Sequence, residues 1–169
     1  RSTPKPSSAA SDVYKRQVLG FGIKPRLPSI LPSLPTRPII SGVAIDISKI
    51  LINKEKFLEA LEWSEKAVSV SGKKGEAIYQ RAEVYFSVAE SCSGDPLTFW
   101  DKVVYEISWE DYKIAVNKGY KQAKSRRDFL EENYITTSAD WFMRPEGEME
   151  VKPQGDCYAW IDKTIQRKK

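Results

Sequence analysis

The sequence predicts an all-α fold of antiparallel helical hairpins, closed at its C-terminal end by a small β-hairpin cap. Three observations support this prediction. From Ser41 to Asn133, apolar residues recur at the spacing of amphipathic helices. Clusters of glycine and lysine interrupt that pattern at intervals that suit hairpin turns. After Tyr134 the sequence changes to turn signals that alternate with short runs of strand-forming residues.

Residues 1–17 are set apart from the fold. The stretch 7–17, SSAASDVYKRQ, is what a common transposase sequencing adapter encodes when translated in frame, and Arg1-Ser2-Thr3 continue the match upstream. A Ser/Pro-rich tail that matches by chance is the alternative. We expect residues 1–17 to be a disordered library artefact and the natural N-terminus to be missing, so the sequence leaves the localisation of the protein open.

The composition indicates a globular protein with little net charge. The chain is 41% hydrophobic and 30% charged, and its formal net charge is +4. Residues 1–17 contain four cations and one carboxylate and so supply +3 of this charge, which leaves +1 for the remainder. Net charge therefore gives no argument for nucleic acid. No apolar run approaches the roughly 18 residues that span a bilayer, so no membrane span is expected.

Residue types that commonly carry chemistry are scarce. The chain contains no histidine, which removes the commonest general base and metal ligand. Cys92 and Cys157 lie far apart without a CxxC pair, so we expect two free buried thiols, with a disulfide as the alternative in an oxidising compartment. No phosphate-binding glycine loop or nucleophile motif is present. We therefore predict no enzyme activity and no catalytic, metal or cofactor site.

A proline-rich segment, residues 18–40, precedes the helices. Each proline removes a backbone donor and disfavours helix in the residue before it. We expect a poorly ordered, extended linker here. The prolines are Pro25, Pro28, Pro32, Pro35 and Pro38.

The helical domain is expected over residues 41–134. Breaks at Asn53-Lys54 and at residues 71–75 divide its first part into three helices, the third running from Gly75 to Glu90. Asp95 is the expected N-cap of a long fourth helix that ends near Asn117, and a fifth helix continues to Asn133. The large core residues expected on the fourth helix are Phe99, Trp100, Tyr105, Trp109 and Tyr112. The expected buried side of the fifth is Tyr120, Ala123, Phe129 and Leu130.

The C-terminal cap is expected over residues 135–169. Pro-Glu-Gly and Pro-Gln-Gly-Asp are turn signals, and the strand formers lie in residues 148–151 and 157–165. We predict a small β-hairpin folded against the last helix. The aromatic residues expected to close the end of the stack are Trp141, Phe142, Tyr158 and Trp160.

The segment from Gly75 to Phe86, GEAIYQRAEVYF, resembles the first helix of a tetratricopeptide (TPR) unit. Ala82 takes the place of the small residue at the helix crossing, and Tyr85 that of its large neighbour. Ser48 and Leu51 fall 34 residues before them, the length of one unit. The resemblance implies an α-solenoid fragment of TPR-like hairpins. Two unrelated hairpins of similar size are the alternative, since the tryptophan and glycine common in such units are absent.

The chain from residue 99 onward also resembles the C-terminal part of a group of uncharacterised bacterial TPR proteins. Those proteins end in a long helix, a shorter helix and an aromatic-rich stretch. The matching motifs here are Trp141-Phe142, Gly155-Asp156-Cys157-Tyr158 and Trp160-Ile161. That group has no assigned activity, so this resemblance implies a fold and no chemistry.

A protein or peptide ligand is the function that a TPR-like stack implies. The concave side of such a stack is formed by the first helix of each hairpin. The residues expected there, offset from the packing stripe, are Ile45, Lys49, Tyr79, Glu83 and Phe86. We therefore expect a protein–protein interaction scaffold. The alternatives are that Tyr79 and Phe86 complete the core, and that the chain is a structural C-terminal domain of a larger protein whose activity lies elsewhere.

A basic cluster around Tyr120 offers a second type of surface. Its members are Lys118, Lys121, Lys124, Arg126 and Arg127. Lysines at helical spacing could meet phosphates. However, three carboxylates follow within the next five residues and favour ordinary i,i+4 ion pairs on an exposed helix. We therefore expect no nucleic-acid partner.

Overall fold

The computed structural model describes residues 36–168, which fold into helices and one small antiparallel sheet. The elements in chain order are α1 (Thr36–Ile52), α2 (Phe57–Ser71), α3 (Gly75–Cys92), α4 (Phe99–Asn117), α5 (Ala123–Asn133), α6 (Ser138–Phe142), β1 (Glu150–Val151) and β2 (Ile165–Gln166). The all-α class with a small β-hairpin is confirmed. None of the described helices is both long and apolar enough to cross a membrane.

Helix α1 begins earlier than the sequence suggests. It starts at Thr36 rather than Ser41, so its first turn includes Pro38 and overlaps the predicted linker. A proline is tolerated there because the N–H groups of a first helical turn have no intrahelical partner. The predictions for residues 1–35, the adapter and most of the linker, lie outside the described residues.

Helices α1 and α2 pack as an antiparallel pair through small residues. The Ser48 hydroxyl donates to the Ala60 carbonyl at 2.9 Å, and the Ser41 hydroxyl donates to the Ala67 carbonyl at 3.4 Å. Ser48, Ala60 and Ala67 are fully buried, which lets the two backbones approach closely. Gly72 then ends α2 with a left-handed φ of 70°, a conformation that glycine adopts without steric cost.

Helices α3 and α4 form a second antiparallel pair. The Ser108 hydroxyl donates to the carbonyl of the fully buried Ala82 at 2.9 Å. At the other end of the pair, a Cβ added to Gly75 would lie 2.8 Å from the Tyr120 Cβ and 2.9 Å from the Ala115 carbonyl oxygen. The start of α3 therefore has room for glycine alone.

The start of α4 corrects the predicted cap. The helix begins at Phe99, and its N-cap is Thr98 rather than Asp95. The Thr98 hydroxyl accepts from the Asp101 backbone N–H, and the Asp101 carboxylate accepts from the Thr98 N–H at 2.7 Å. This reciprocal capping box satisfies two backbone donors at once, whereas a lone aspartate satisfies one.

The C-terminal cap is only partly as expected. Val151 pairs with Ile165 in the two-stranded sheet. Most of the predicted second strand, residues 157–165, is instead turn and irregular structure. Trp141 is buried, but the prediction that Phe142 closes the stack is wrong, because Phe142 is 83% exposed. The short helix α6 has one inward face, which Trp141 occupies. The expected burial of Phe129 is also wrong, since it is 44% exposed.

The two cysteines form a disulfide, so the prediction of free buried thiols is wrong. Cys92 ends α3, and its Cα lies 6.3 Å from that of Cys157. Cys157 is exposed and precedes Tyr158, whose hydroxyl donates to the buried Asp101 carboxylate. Docking of Tyr158 at the start of α4 therefore brings Cys157 to the end of α3.

Candidate partner-binding surface

The five residues predicted to bind a partner separate into core and surface. Ile45 is 4% exposed and Phe86 is 8% exposed, so both belong to the core rather than to a free face. Lys49 is exposed, and its ammonium lies 3.5 Å from Asp46 on the same helix. Helix α1 meets α3 beside it, where the Gln80 side-chain amide donates to the Ser48 hydroxyl at 3.3 Å.

Tyr79 and Glu83, the two half-buried members, are held by residues of α4 and the turn after it. The Tyr79 ring centroid lies 5.5 Å from that of Tyr112 and 5.1 Å from that of Tyr120. The Tyr112 hydroxyl donates to a Glu83 carboxylate oxygen at 2.5 Å. Tyr112 is fully buried, so it fixes the positions of both neighbours from below.

Arg126 of α5 completes this surface, and sequence reasoning assigned it to a basic cluster instead. Its Nε lies 3.7 Å from the Glu83 carboxylate, and its guanidinium lies 4.5 Å from the centroid of the Phe86 ring. The Arg126 side chain is 42% exposed. We name the four accessible residues Tyr79, Glu83, Tyr120 and Arg126 the aromatic–charged surface.

The hydroxyls of this surface are neutral near physiological pH. Burial, with the negative charge of Glu83 adding to it, raises the pKa of Tyr79 to about 12. Burial likewise raises the pKa of Tyr112 and of Tyr120. The accessible rings of Tyr79 and Tyr120 therefore offer apolar faces with un-ionised hydroxyls, which suits hydrogen bonding and packing against a ligand.

A second group of polar residues, three buried carboxylates of α4, faces the C-terminal segment. Asp111, 1% exposed, accepts a bidentate pair of hydrogen bonds from Arg81 at 2.7 and 2.8 Å. The Lys163 ammonium donates to the same carboxylate at 3.0 Å. A carboxylate between two cations, with its oxygens all occupied, ties α3, α4 and the C-terminal segment together.

The other two carboxylates bind the same segment. Glu106, 3% exposed, accepts from the Thr136 backbone N–H at 3.1 Å and lies 3.0 Å from the Lys168 ammonium. Asp101 accepts from the Tyr158 hydroxyl. We call Asp101, Glu106 and Asp111 the C-terminal clasp. The sequence around these three acidic residues gave no signal for the C-terminal clasp, because the residues that bind them across the fold lie 30 to 62 positions away in the chain.

Comparison with known proteins adds no assignment. A scan against protein-family models finds no match. Searches of curated proteins and of solved structures likewise find none.

Proposed function

We propose that this protein is an interaction module that binds a protein or peptide through the aromatic–charged surface, with Lys49 at its margin. The observation that carries the proposal is the half-exposed Tyr79 ring between two neighbouring tyrosines, beside the Glu83–Arg126 pair. Tyrosine and arginine dominate the energetics of many protein interfaces.

Pre-organisation supports the proposal. The Tyr79 ring is held by Tyr112 and Tyr120, and the Glu83 carboxylate is held by the Tyr112 hydroxyl. Binding a ligand there would order few additional side chains, and that ordering is a major cost of association. The guanidinium of Arg126 leaves donors free for a ligand carboxylate or carbonyl, since a single ion pair engages only part of its fork.

We further infer that α1–α2 and α3–α4 are two TPR-like units of an α-solenoid fragment. Three observations support the inference. Ser48 and Ala82, 34 positions apart, are both fully buried at a helix crossing. Consecutive helices from α1 to α5 contact one another, and α1 also contacts α3. In that arrangement α1 and α3 line the concave side, which agrees with the placement of Tyr79 and Glu83.

A structural role within a larger protein is the second candidate, and the outer face of α1 favours it. Ile39, Val43 and Ile50 share one side of the helix and are 62%, 53% and 54% exposed. Apolar residues in a stripe of this kind usually pack against another element. On this reading the chain supports a neighbouring domain, and the activity lies there.

A pull-down with the immobilised protein, which measures how much partner protein it retains, separates the interaction module from the structural role. The variant Tyr79→Ala/Glu83→Ala removes the centre of the aromatic–charged surface, and Trp63→Ala/Glu62→Ala is a matched aromatic–acidic control on α2. We expect the test variant to lose the partner that the wild type and the control both retain, with all three equally helical by circular dichroism. Equal capture by the test variant would contradict the proposal. If only the variant Ile39→Ser/Val43→Ser failed to retain the partner, the structural role would be favoured.

A further inference from the structure

Two lysine pairs that are distant in sequence meet at one end of the helices. Lys73 and Lys74 form the turn between α2 and α3, and Lys118 and Lys121 lie in the connection between α4 and α5. Gly75 joins the two turns, because a Cβ placed on it would lie 3.3 Å from the Lys118 Cβ. We call Lys73, Lys74, Lys118 and Lys121 the basic end patch.

The four lysines are exposed and unpaired. All four residues are exposed to solvent. Within residues 36–168 none of them forms an ion pair. Like charges at adjoining turns repel one another, and a bound anion would relieve that repulsion.

Helix stability does not explain Lys74 either. It is the N-cap residue of α3 and makes no side-chain cap hydrogen bond. Serine, threonine, aspartate and asparagine are the residues that stabilise this position. A positive charge there also opposes the helix dipole.

We propose that the basic end patch binds an acidic segment of a protein partner, a short stretch rich in Asp and Glu. Lysine provides a compact, mobile ammonium that suits single carboxylates along a flexible peptide. The proposal does not depend on the aromatic–charged surface, although the two adjoin at Tyr120, so either can fail alone.

A peptide fits the patch better than a nucleic acid for two reasons. The Tyr120 and Tyr79 ring centroids lie 5.1 Å apart with their planes tilted by 45°, so the two rings do not form a flat platform on which successive bases could stack. Glu76 follows Gly75 in the first turn of α3, and its negative charge adds to the effect of burial in raising the pKa of Tyr120. A peptide can place a neutral or basic residue at Glu76, whereas a phosphate backbone presents an unbroken line of negative charge.

The test uses a fluorescein-labelled acidic peptide, two runs of glutamate joined by neutral glycines, with binding followed by anisotropy at low and at physiological salt. The variant Lys74→Glu/Lys118→Glu reverses one lysine of each turn. Lys54→Glu/Lys66→Glu is the control, since it makes the same change of net charge away from the patch. We expect the test variant to bind about tenfold more weakly and the control to stay within about twofold of wild type. Added salt should weaken the wild-type complex.

Three results would overturn the proposal. The first is no binding of the acidic peptide to the wild type. The second is an equal loss of affinity in the two variants, which would show that net charge alone controls binding. The third is tighter binding of single-stranded DNA, or of vesicles containing phosphatidylserine, than of the peptide at equal salt. Thermal unfolding of both variants within a few degrees of wild type checks that the charge reversals leave the fold intact.

Discussion

Removing the Asp111 carboxylate should be among the most damaging single changes to the C-terminal clasp. In the variant Asp111→Ala, Arg81 and Lys163 both lose their buried anion. Breaking a fully buried ion pair costs roughly 3–5 kcal/mol, because it leaves an uncompensated charge. Here the Arg81 and Lys163 side chains are 19% and 29% exposed, so both regain some hydration. We therefore expect the free energy of unfolding to fall by about 2–3 kcal/mol.

Urea unfolding followed by far-UV circular dichroism measures this loss. Asp162→Ala is the matched control, because Asp162 also pairs with a lysine, Lys152 at 2.8 Å, but its side chain is 94% exposed. Solvent screens an exposed pair of this kind, so the control should leave the urea midpoint close to that of the wild type. Adding Lys163→Met to Asp111→Ala should recover part of the loss, since it removes one stranded cation. Equal destabilisation by Asp111→Ala and Asp162→Ala would refute the reasoning.

Three further predictions test other contacts. Reduction of the Cys92–Cys157 disulfide should lower the free energy of unfolding by about 4 kcal/mol, the chain-entropy value for a separation of 65 residues. Calorimetry with and without reductant measures this loss, and an unchanged Tm would contradict the prediction. Gly75→Ala should destabilise by about 1–3 kcal/mol through overpacking against the Ala115 carbonyl, although alanine normally stabilises a helix; a rise in the urea midpoint would reverse the conclusion. Burial raises the pKa of Tyr79 to about 12, from an unfolded value near 10. The stability that the neutral Tyr79 hydroxyl contributes is therefore complete below pH 10 and is lost between pH 10 and 12. Absorbance at 295 nm against pH, with Tyr79→Phe as the control, should show this tyrosine ionising above pH 11.

The helices could be predicted because their signal is local. Amphipathic spacing and the breaks at Asn53 and Gly72 depend on residues within a few positions of one another. Helices α1 and α2 each end at the residue before one of these breaks. The same locality explains one error. Asp95 and Thr98 are both competent N-caps, and only the reciprocal bond to Asp101 decides between them.

The candidate surface could be predicted only in part, because its geometry is set by contacts between distant residues. Tyr79 and Glu83 follow from the helical phase of α3. Arg126 lies opposite them through the turn after α4, which no local pattern specifies. The disulfide has the same cause, since the docking of Tyr158 on Asp101 is what places Cys157 beside Cys92.

The C-terminal clasp has a consequence for the order in which the chain folds during synthesis. Helix α1 contacts both α2 and α3, and all three helices lie within residues 36–92. These contacts can form as soon as that stretch has left the ribosome. Helix α4 cannot bury Glu106 at low cost until residues 136–168 supply its partners. Until then its inward face carries charge and must stay hydrated. We expect α4 to be the last long helix to dock on the nascent chain, and shortening the C-terminal segment to leave it undocked.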